Sequence, residues 1–184
     1  MGPASQTRLV ATRKLIGSDD IHAALTHLAE SILARHPSPA RLIVLGIANG
    51  GIAVARRLAA RLGTKRVGTI DISFYRDDIG HKPIPKEFTP TVIPGDVNGA
   101  TVLLVDDVLF SGRTVKAALD ELFEHGRPAK VELAVLIDRG GHKLPVTADY
   151  VGRTIDAGDD ERVVVRLNND APAEDLIRIE PAKP

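Results

Sequence analysis

The chain contains no cysteine, which excludes disulfide bonds and any chemistry that uses a thiolate. Its 24 basic and 24 acidic residues balance, so the net charge gives no overall attraction to nucleic acid, and any such surface must be a local basic patch. No apolar run approaches the roughly 18 residues of a membrane span, and the N-terminus lacks the apolar core of a signal peptide. These absences predict a cytoplasmic protein without a membrane partner.

A chain of 184 residues can form one domain that buries roughly two-thirds of the surface of its unfolded form. We predict a single domain over 1–184 with an ordered core over 8–184. Residues 76–96 hold four prolines and two glycines, and a loop of this length in a compact domain is either a lid or disordered. We predict a flexible lid that excludes water from a reactive site. Arg76 and Lys82 could reach an anion from it, although a solvated charge explains Lys82 equally well.

The stretch from Thr101 to Glu124 contains the strongest pattern in the chain. It opens with Val102–Val105, an apolar run that is short enough for a strand and too continuous for one that faces water. Asp106 and Asp107 end this run, and the turn Ser111–Thr114 leads into a helical pattern. The prediction is a strand with an acidic pair at its carboxyl end, then a turn and a helix N-terminus. Ligands of open α/β sheets usually bind at this end of a strand.

The residue types of this turn suit a phosphate, whereas the acidic pair suits hydroxyl groups. Gly112 lets the backbone approach a ligand, and the first free N–H groups of the helix attract an anion. Ser111 and Thr114 add hydroxyl donors or simply cap the helix. Asp106 and Asp107 repel a phosphate but accept hydrogen bonds from hydroxyl groups or bind a cation. A sugar phosphate satisfies both halves; the alternative is an ordinary N-cap beside solvated carboxylates.

A second strand, turn and helix come earlier in the chain. Leu42–Leu45 is a candidate buried strand, Gly46–Gly51 is rich in glycine, and Ile52–Leu62 has helical spacing. The turn matches neither the dinucleotide-binding G-x-G-x-x-G pattern nor the P-loop, so those two functions lose support. The backbone amides of Asn49–Gly51 are a candidate second anion cradle. A tight turn without a ligand is the alternative.

The other segments predict an α/β fold: a mostly parallel central sheet flanked by helices, with a small hood from the chain ends. They are a β-leaning segment over Arg8–Ile16, a helix over Ser18–Arg35, strands over Val67–Phe74 and Val131–Ile137, and short strands over Asp149–Val151, Arg162–Leu167 and Leu176–Ile179. Arg139 follows one of these strands and is a candidate contact for a base or a phosphate. A surface ion pair with Asp138 is the alternative.

The segment VLLVDDVLFSGRT resembles the phosphoribosyl diphosphate (PRPP) binding motif of the type I phosphoribosyltransferases. The resemblance implies that fold, with Asp106 and Asp107 as the catalytic acidic pair that accepts the ribose 2- and 3-hydroxyls. Asn49–Gly51 takes the place of the family's pyrophosphate loop, with Arg76 as a further contact. The resemblance also implies that PRPP is contacted by the loop after the pair, through Val108, Phe110, Ser111, Gly112, Arg113 and Thr114.

Four segments resemble the PyrR family of pyrimidine operon regulators: IDISFYRDD, VDDVLFSGRTVKAALDEL, LAVLIDRG and ADYVGR. The resemblance implies uracil phosphoribosyltransferase activity, in which uracil and PRPP give UMP and pyrophosphate. It also implies that Mg²⁺ arrives bound to PRPP rather than to protein ligands, and that the protein is a homodimer or homotetramer. The implied base contacts are Ile137, Asp138 and Arg139. The family's second role is to bind pyrimidine-operon leader mRNA in response to UMP.

The chain departs from the PyrR pattern in its pyrophosphate loop. The family commonly has T-R-G there, whereas this chain has Asn49, Gly50 and Gly51. The change removes one arginine that would face the pyrophosphate but keeps the backbone cradle. We therefore expect activity to be retained, with weaker binding of PRPP.

A second departure removes basic residues that the family uses for RNA. The family segment D-R-G-H-R-E-L-P-I-R-A-D-Y reads DRGGHKLPVTADY here, with Gly141, His142 and Thr147 in place of a histidine and two arginines. Lys143 and Arg153 retain positive charge, and each lost phosphate contact lowers the salt-dependent affinity for RNA. The candidate RNA surface consists of His142, Lys143, Arg153, Arg13 and Lys14.

Three functions remain open from the sequence. The first is the uracil phosphoribosyltransferase, with or without the RNA role. The second is a nucleotide-sensing, RNA-binding regulator of pyrimidine biosynthesis with little or no catalysis. The third is a phosphoribosyltransferase for another base, such as orotate or a purine.

Overall fold

The computed structural model describes residues 13–73, 75 and 89–182, the first three of them by their backbone only. Most of the predicted lid, including Arg76 and Lys82, lies outside the described residues. The predictions for that segment therefore stay predictions.

The described strands form two sheets. In chain order the strands and α-helices are β1 (Arg13–Ile16), α1 (Ser18–Arg35), β2 (Ile43–Ile47), α2 (Gly50–Leu62), β3 (Val67–Ile70), β4 (Thr101–Leu109), α3 (Arg113–Glu124), β5 (Lys130–Asp138), β6 (Tyr150–Thr154), β7 (Glu161–Arg166) and β8 (Leu176–Pro181). Strands β2 to β6 make a parallel sheet in the order β3-β2-β4-β5-β6. Strands β1, β8 and β7 make a small antiparallel sheet, the hood. The predicted fold class is confirmed.

Helices cover both faces of the parallel sheet, which explains why its central strands carry continuous apolar runs. Every residue of β2 is buried, and so are Val102–Val105 of β4. Leu103 and Val105 pack in the core shared with α1, α2 and the hood, whereas Val102 and Leu104 pack with α3. None of the helices in the described part of the chain is both long and apolar enough to cross a membrane.

Strand β4 is longer than the sequence predicts, and this changes the place of the acidic pair. It runs to Leu109, so Asp106 and Asp107 lie within the strand and not at its end, which corrects the prediction. On one side β4 stays paired with β5 as far as Leu109, but its pairing with β2 stops at Val105 because the chain of β2 turns into α2. The two carboxyl groups therefore stand where β4 loses one neighbour and a cleft opens.

Two of the other predicted boundaries that differ from the structure lie near the cleft. Helix α2 begins at Gly50 and not at Ile52, so both glycines of the loop belong to its first turn. Strand β3 ends at Ile70, before the predicted end of that strand. The carboxylate of Asp71 accepts the N–H and the hydroxyl of Ser73, and this local turn replaces the strand pairing.

A buried ion pair fastens the hood to the core. Asp175, which lies just before β8, is 2 % exposed and pairs with both terminal nitrogens of Arg57 on α2. The same carboxylate accepts the backbone N–H of Asn168 at 2.8 Å, and Arg57 donates to the Asn168 carbonyl at 2.8 Å. His22 of α1 lies 3.5 Å from the Asp175 carboxylate. The segment between β7 and β8 is therefore held against two helices.

Removal of this carboxylate should weaken the fold. Asp175→Ala leaves the mostly buried Arg57 without its counter-charge, and we expect the free energy of unfolding to fall by about 3 kcal/mol. Asp120→Ala, which breaks an exposed pair with Lys116, is the control and should cost less than about 0.5 kcal/mol. Urea unfolding measures both losses. Equal losses would contradict the role given to Asp175.

Candidate active site

A cleft of about 760 Å³ opens at the carboxyl end of the parallel sheet. Asn49, Gly50 and Ala53 line it on the side of α2, Asp107 lines it from β4, and residues 165–170 line it from the hood. Sequence patterns pointed to the first loop and to the acidic pair, and the structure brings them together. The hood residues carried no motif, so they were missed.

Asp106 and Asp107 form a closely coupled pair of carboxyl groups. Asp106 is 5 % exposed, and its Oδ1 accepts the backbone N–H of Asp107 at 2.9 Å. Burial raises the pKa of Asp106 well above the usual carboxyl range, and the charge of Asp107 raises it further. Burial also raises the pKa of Asp107, which borders the cleft. Two acids with raised pKa values beside a cleft are typical of a functional site.

Gly50 and Gly51 let the loop after β2 pack directly on β4. A Cβ atom at Gly51 would lie 2.1 Å from the carbonyl oxygen of Val105, a backbone atom held by the sheet. A Cβ atom at Gly50 would lie 2.4 Å from Oδ2 of Asp107, a side chain. Because α2 starts at Gly50, its first N–H groups have no acceptor within the helix and lie at the edge of the cleft. The candidate anion cradle and the acidic pair are therefore neighbours.

The turn between β4 and α3 has a fixed backbone shape. Gly112 has a φ of 86°, a left-handed conformation that suits glycine. The carbonyl of Ser111 accepts the backbone N–H groups of Lys143 and Leu144 at 3.1 and 3.0 Å. The side chain of Thr114 makes no capping bond to α3, so its alternative role as an N-cap is not observed. The candidate phosphate loop is thus held by the segment that follows β5.

The predicted base contacts Ile137, Asp138 and Arg139 lie at the carboxyl end of β5, but none of the three lines the cleft. Asp138 Oδ1 accepts the N–H of Gly140 and lies 2.9 Å from Nε2 of His142. The partners of Asp138 are thus His142 and Gly140, and the alternative ion pair between Asp138 and Arg139 is not formed. The guanidinium of Arg139 is instead buried. The base-contact role of these residues stays a prediction.

Similar proteins identify the family. The phosphoribosyl transferase domain profile matches residues 17–170. A bifunctional protein PyrR from Listeria monocytogenes is 46% identical over 168 residues, 86% of this chain and 91% of that protein. Another from a Roseiflexus species is 43% identical over 161 residues, 85% of this chain and 88% of that protein. The chain belongs to the PyrR family. A solved hypoxanthine-guanine phosphoribosyltransferase from Bacillus anthracis has the same fold, with a TM-score of 0.63, 24% identity, and coverage of 83% of this chain and 85% of that one.

The residues that the PyrR pattern associates with RNA are partly engaged in pairs. His142 contacts the carboxylate of β5 described above, and Nη1 of Arg153 lies 3.6 Å from a carboxylate of α1. Lys143 is exposed. The side chains of Arg13 and Lys14 lie outside the described residues. Within the described part of the candidate surface, Lys143 is the most exposed basic side chain of the segment after β5.

One added methyl group at each glycine of the loop Asn49–Gly51 should have different effects on folding and on ligand binding. The Cβ atom added in Gly51→Ala would clash with the backbone carbonyl of Val105, which cannot move aside, and we expect the free energy of unfolding to fall by about 2 kcal/mol. Gly50→Ala displaces only the Asp107 side chain, so the fold should keep its stability while PRPP affinity falls. Thermal unfolding and calorimetric titration measure the two effects. The same stability loss in both variants would show that the loop does not pack as described.

Proposed function

We propose that this protein is a uracil phosphoribosyltransferase, which converts uracil and PRPP into UMP and pyrophosphate. The observation that carries the proposal is the contact of the loop Asn49–Gly51 with Asp106 and Asp107, on the strand that leads directly into the loop Phe110–Thr114. PRPP has a phosphate on one side of its ribose and a diphosphate on the other, and it needs such an arrangement. Membership of the PyrR family supports this substrate.

The acidic pair binds the ribose in this proposal. Its carboxyl groups accept hydrogen bonds from the ribose 2- and 3-hydroxyls, and these donors offset the burial and the repulsion by Asp107 that raise the pKa of Asp106. The loop Phe110–Thr114 directs the first N–H groups of α3 at the 5-phosphate. The fixed shape of this loop means that little conformational freedom is lost on binding.

The diphosphate lies against Asn49–Gly51, which offers the first N–H groups of α2. The oxygens of PRPP are the donor type that Mg²⁺ prefers, so the ion would bind with PRPP and leave Asp106 and Asp107 to the ribose hydroxyls. Bound with PRPP, Mg²⁺ neutralises charge on the departing pyrophosphate.

The reaction needs no nucleophilic side chain. The ribosyl centre becomes positively charged in the transition state, so Asp106 and Asp107 act as fixed negative charges near it. Residues 165–170 of the hood narrow the cleft and limit the access of water, which would hydrolyse the activated sugar. We expect uracil to be read by backbone groups near Ile137–Arg139, at the carboxyl end of β5 and outside the lining of the cleft. Orotate or a purine is the alternative base.

Neutralisation of either carboxyl group should abolish turnover. We expect Asp106→Asn and Asp107→Asn each to lower kcat for UMP formation at least ~100-fold, because each removes a charge placed for the transition state. Asp120→Asn, on the outer side of α3, is the matched control and should keep the parent kcat. Orotate, hypoxanthine and adenine are added to the same assay as competing bases, and the nucleotide that forms identifies the base that the protein uses. Parent-like turnover in both site variants would overturn the assignment.

Stability provides the check that these variants fold. Both carboxyl groups have a raised pKa in the folded protein, so their contribution to stability is lost as the pH rises through the folded-state pKa. Asp106→Asn should therefore have a Tm about 2–4 °C above the parent at neutral pH, which corresponds to roughly 1 kcal/mol. The difference should shrink as the pH falls toward about 4. A Tm of Asp106→Asn below that of the parent at neutral pH would contradict the predicted direction of the change.

We propose RNA binding as a second role, because the curated relatives are named bifunctional and Lys143 is exposed. Gel shifts with pyrimidine leader RNA, with and without UMP, should show affinity that falls steeply with salt. Lys143→Ala should lower the slope of log K against log salt by about 1, and Lys65→Ala, at the other end of the sheet, should not change it. Absence of a shift at low salt would remove this role, and a shift without turnover would favour a regulator.

A further inference from the structure

The buried guanidinium of Arg139 contacts both a loop of the site and a turn of the hood. Arg139 is 5 % exposed, and its Nη1 donates to the carbonyl of Glu161 at 2.8 Å. Its Nη2 donates to the carbonyls of Ala157 and Gly158 at 3.1 and 3.0 Å. The guanidinium carbon lies 3.9 Å from the centre of the Phe110 ring. One side chain therefore joins the start of the candidate phosphate loop to the turn before β7.

The ring of Phe110 is enclosed from a second direction as well. A Cβ atom at Gly141 would lie 3.0 Å from its Cε2, so the backbone of the segment after β5 packs against the ring. The backbone N–H of Arg139 also donates to the carbonyl of Leu109, the residue before Phe110, at 3.1 Å. These contacts fix the point at which the loop leaves β4.

We propose that the side chain of Arg139 is a positioning residue for the loop Phe110–Thr114, rather than a contact for the base or the phosphate. The inference rests on the proposed function, which gives this loop to the 5-phosphate. The guanidinium is buried, donates to three carbonyls and does not line the cleft. It acts on the ligand through Phe110.

Arginine has the shape that this task requires. Its planar group stacks on an aromatic ring and, at the same time, directs fixed N–H donors at several carbonyls. Lysine keeps the positive charge, but it lacks the planar group that stacks on a ring and the N–H donors in fixed directions. The turn held by Arg139 leads into β7, whose last residues line the cleft. Arg139 therefore couples the position of the phosphate loop to that of the hood.

The test compares Arg139→Lys, Phe110→Leu and the double variant. Arg162→Lys is the matched control, because Arg162 lies on β7 next to the same turn but bonds to Glu180. Calorimetry measures the dissociation constants of UMP and uridine for each protein. These ligands differ only by the 5-phosphate, so the ratio of their dissociation constants reports on the loop.

Each single variant should weaken UMP binding about tenfold and leave uridine binding unchanged. The double variant should bind UMP no more weakly than the single variant with the lower UMP affinity, because both changes act on UMP through the contact between Arg139 and Phe110. Arg162→Lys should change neither ligand. An equal loss for both ligands, or losses that multiply in the double variant, would overturn the inference and leave Arg139 a residue of general stability.

Hydrogen exchange of the ligand-free protein makes the test independent of the substrate. The amides of Lys116, Lys143 and Leu144 donate to the carbonyls of Gly112 and Ser111, and they should exchange at least ~10-fold faster in Arg139→Lys and Phe110→Leu than in the parent or in Arg162→Lys. Unchanged exchange would refute the positioning role. Faster exchange in a protein whose parent form binds no UMP or PRPP would refute the proposed function and leave the positioning role in place.

Discussion

The contact between the loop after β2 and strand β4 decides the geometry of the site. The carbonyl of Val105 lies so close to Gly51 that no side chain fits, and the Asp107 carboxylate fills the space beside Gly50. This approach is possible because β4 continues beyond the end of β2, and beyond Val105 no strand of the described residues pairs with it on that side. It sets a helix N-terminus, which attracts anions, beside two carboxylates, which attract hydroxyl groups. One cleft thereby meets the opposite requirements of a single ligand.

Two buried acids in this fold show how a structural carboxylate differs from a functional one. Glu132, at the other end of the sheet, is 1 % exposed; burial alone would raise its pKa, but hydrogen bonds from Lys130, His36 and Tyr150 lower it. Burial and the bond to Glu132 raise the pKa of Tyr150 to about 12. Asp106 receives no comparable set of donors, so its pKa rises. A carboxylate with a full set of hydrogen-bond donors stabilises the fold, whereas in the proposed function the acidic pair gains its donors from a ligand.

The order of elements, the parallel sheet and the acidic pair could be predicted because their signals are local: apolar runs, adjacent acids and small-residue turns. The end of β4 at Leu109 could not be predicted, because the length of this strand depends on its continued pairing with β5. The role of Arg139 could not be predicted either, since its partners at 157–161 reach it only when the hood folds back. The position of residues 165–170 in the cleft could not be predicted either, because it depends on the ion pair between Asp175 and Arg57.

The glycine at position 50 distinguishes the proposed pyrophosphate loop of this chain from the common PyrR pattern. The family pattern commonly has an arginine here, but in this chain a Cβ atom would lie 2.4 Å from Oδ2 of Asp107. A side chain at position 50 and the present orientation of Asp107 therefore exclude each other. The loop itself offers a diphosphate backbone N–H groups and the amide of Asn49, and its backbone is fixed by contact with β4. In the proposed function, affinity for the diphosphate and orientation of the acidic pair thus depend on one contact, so a change at that contact alters both.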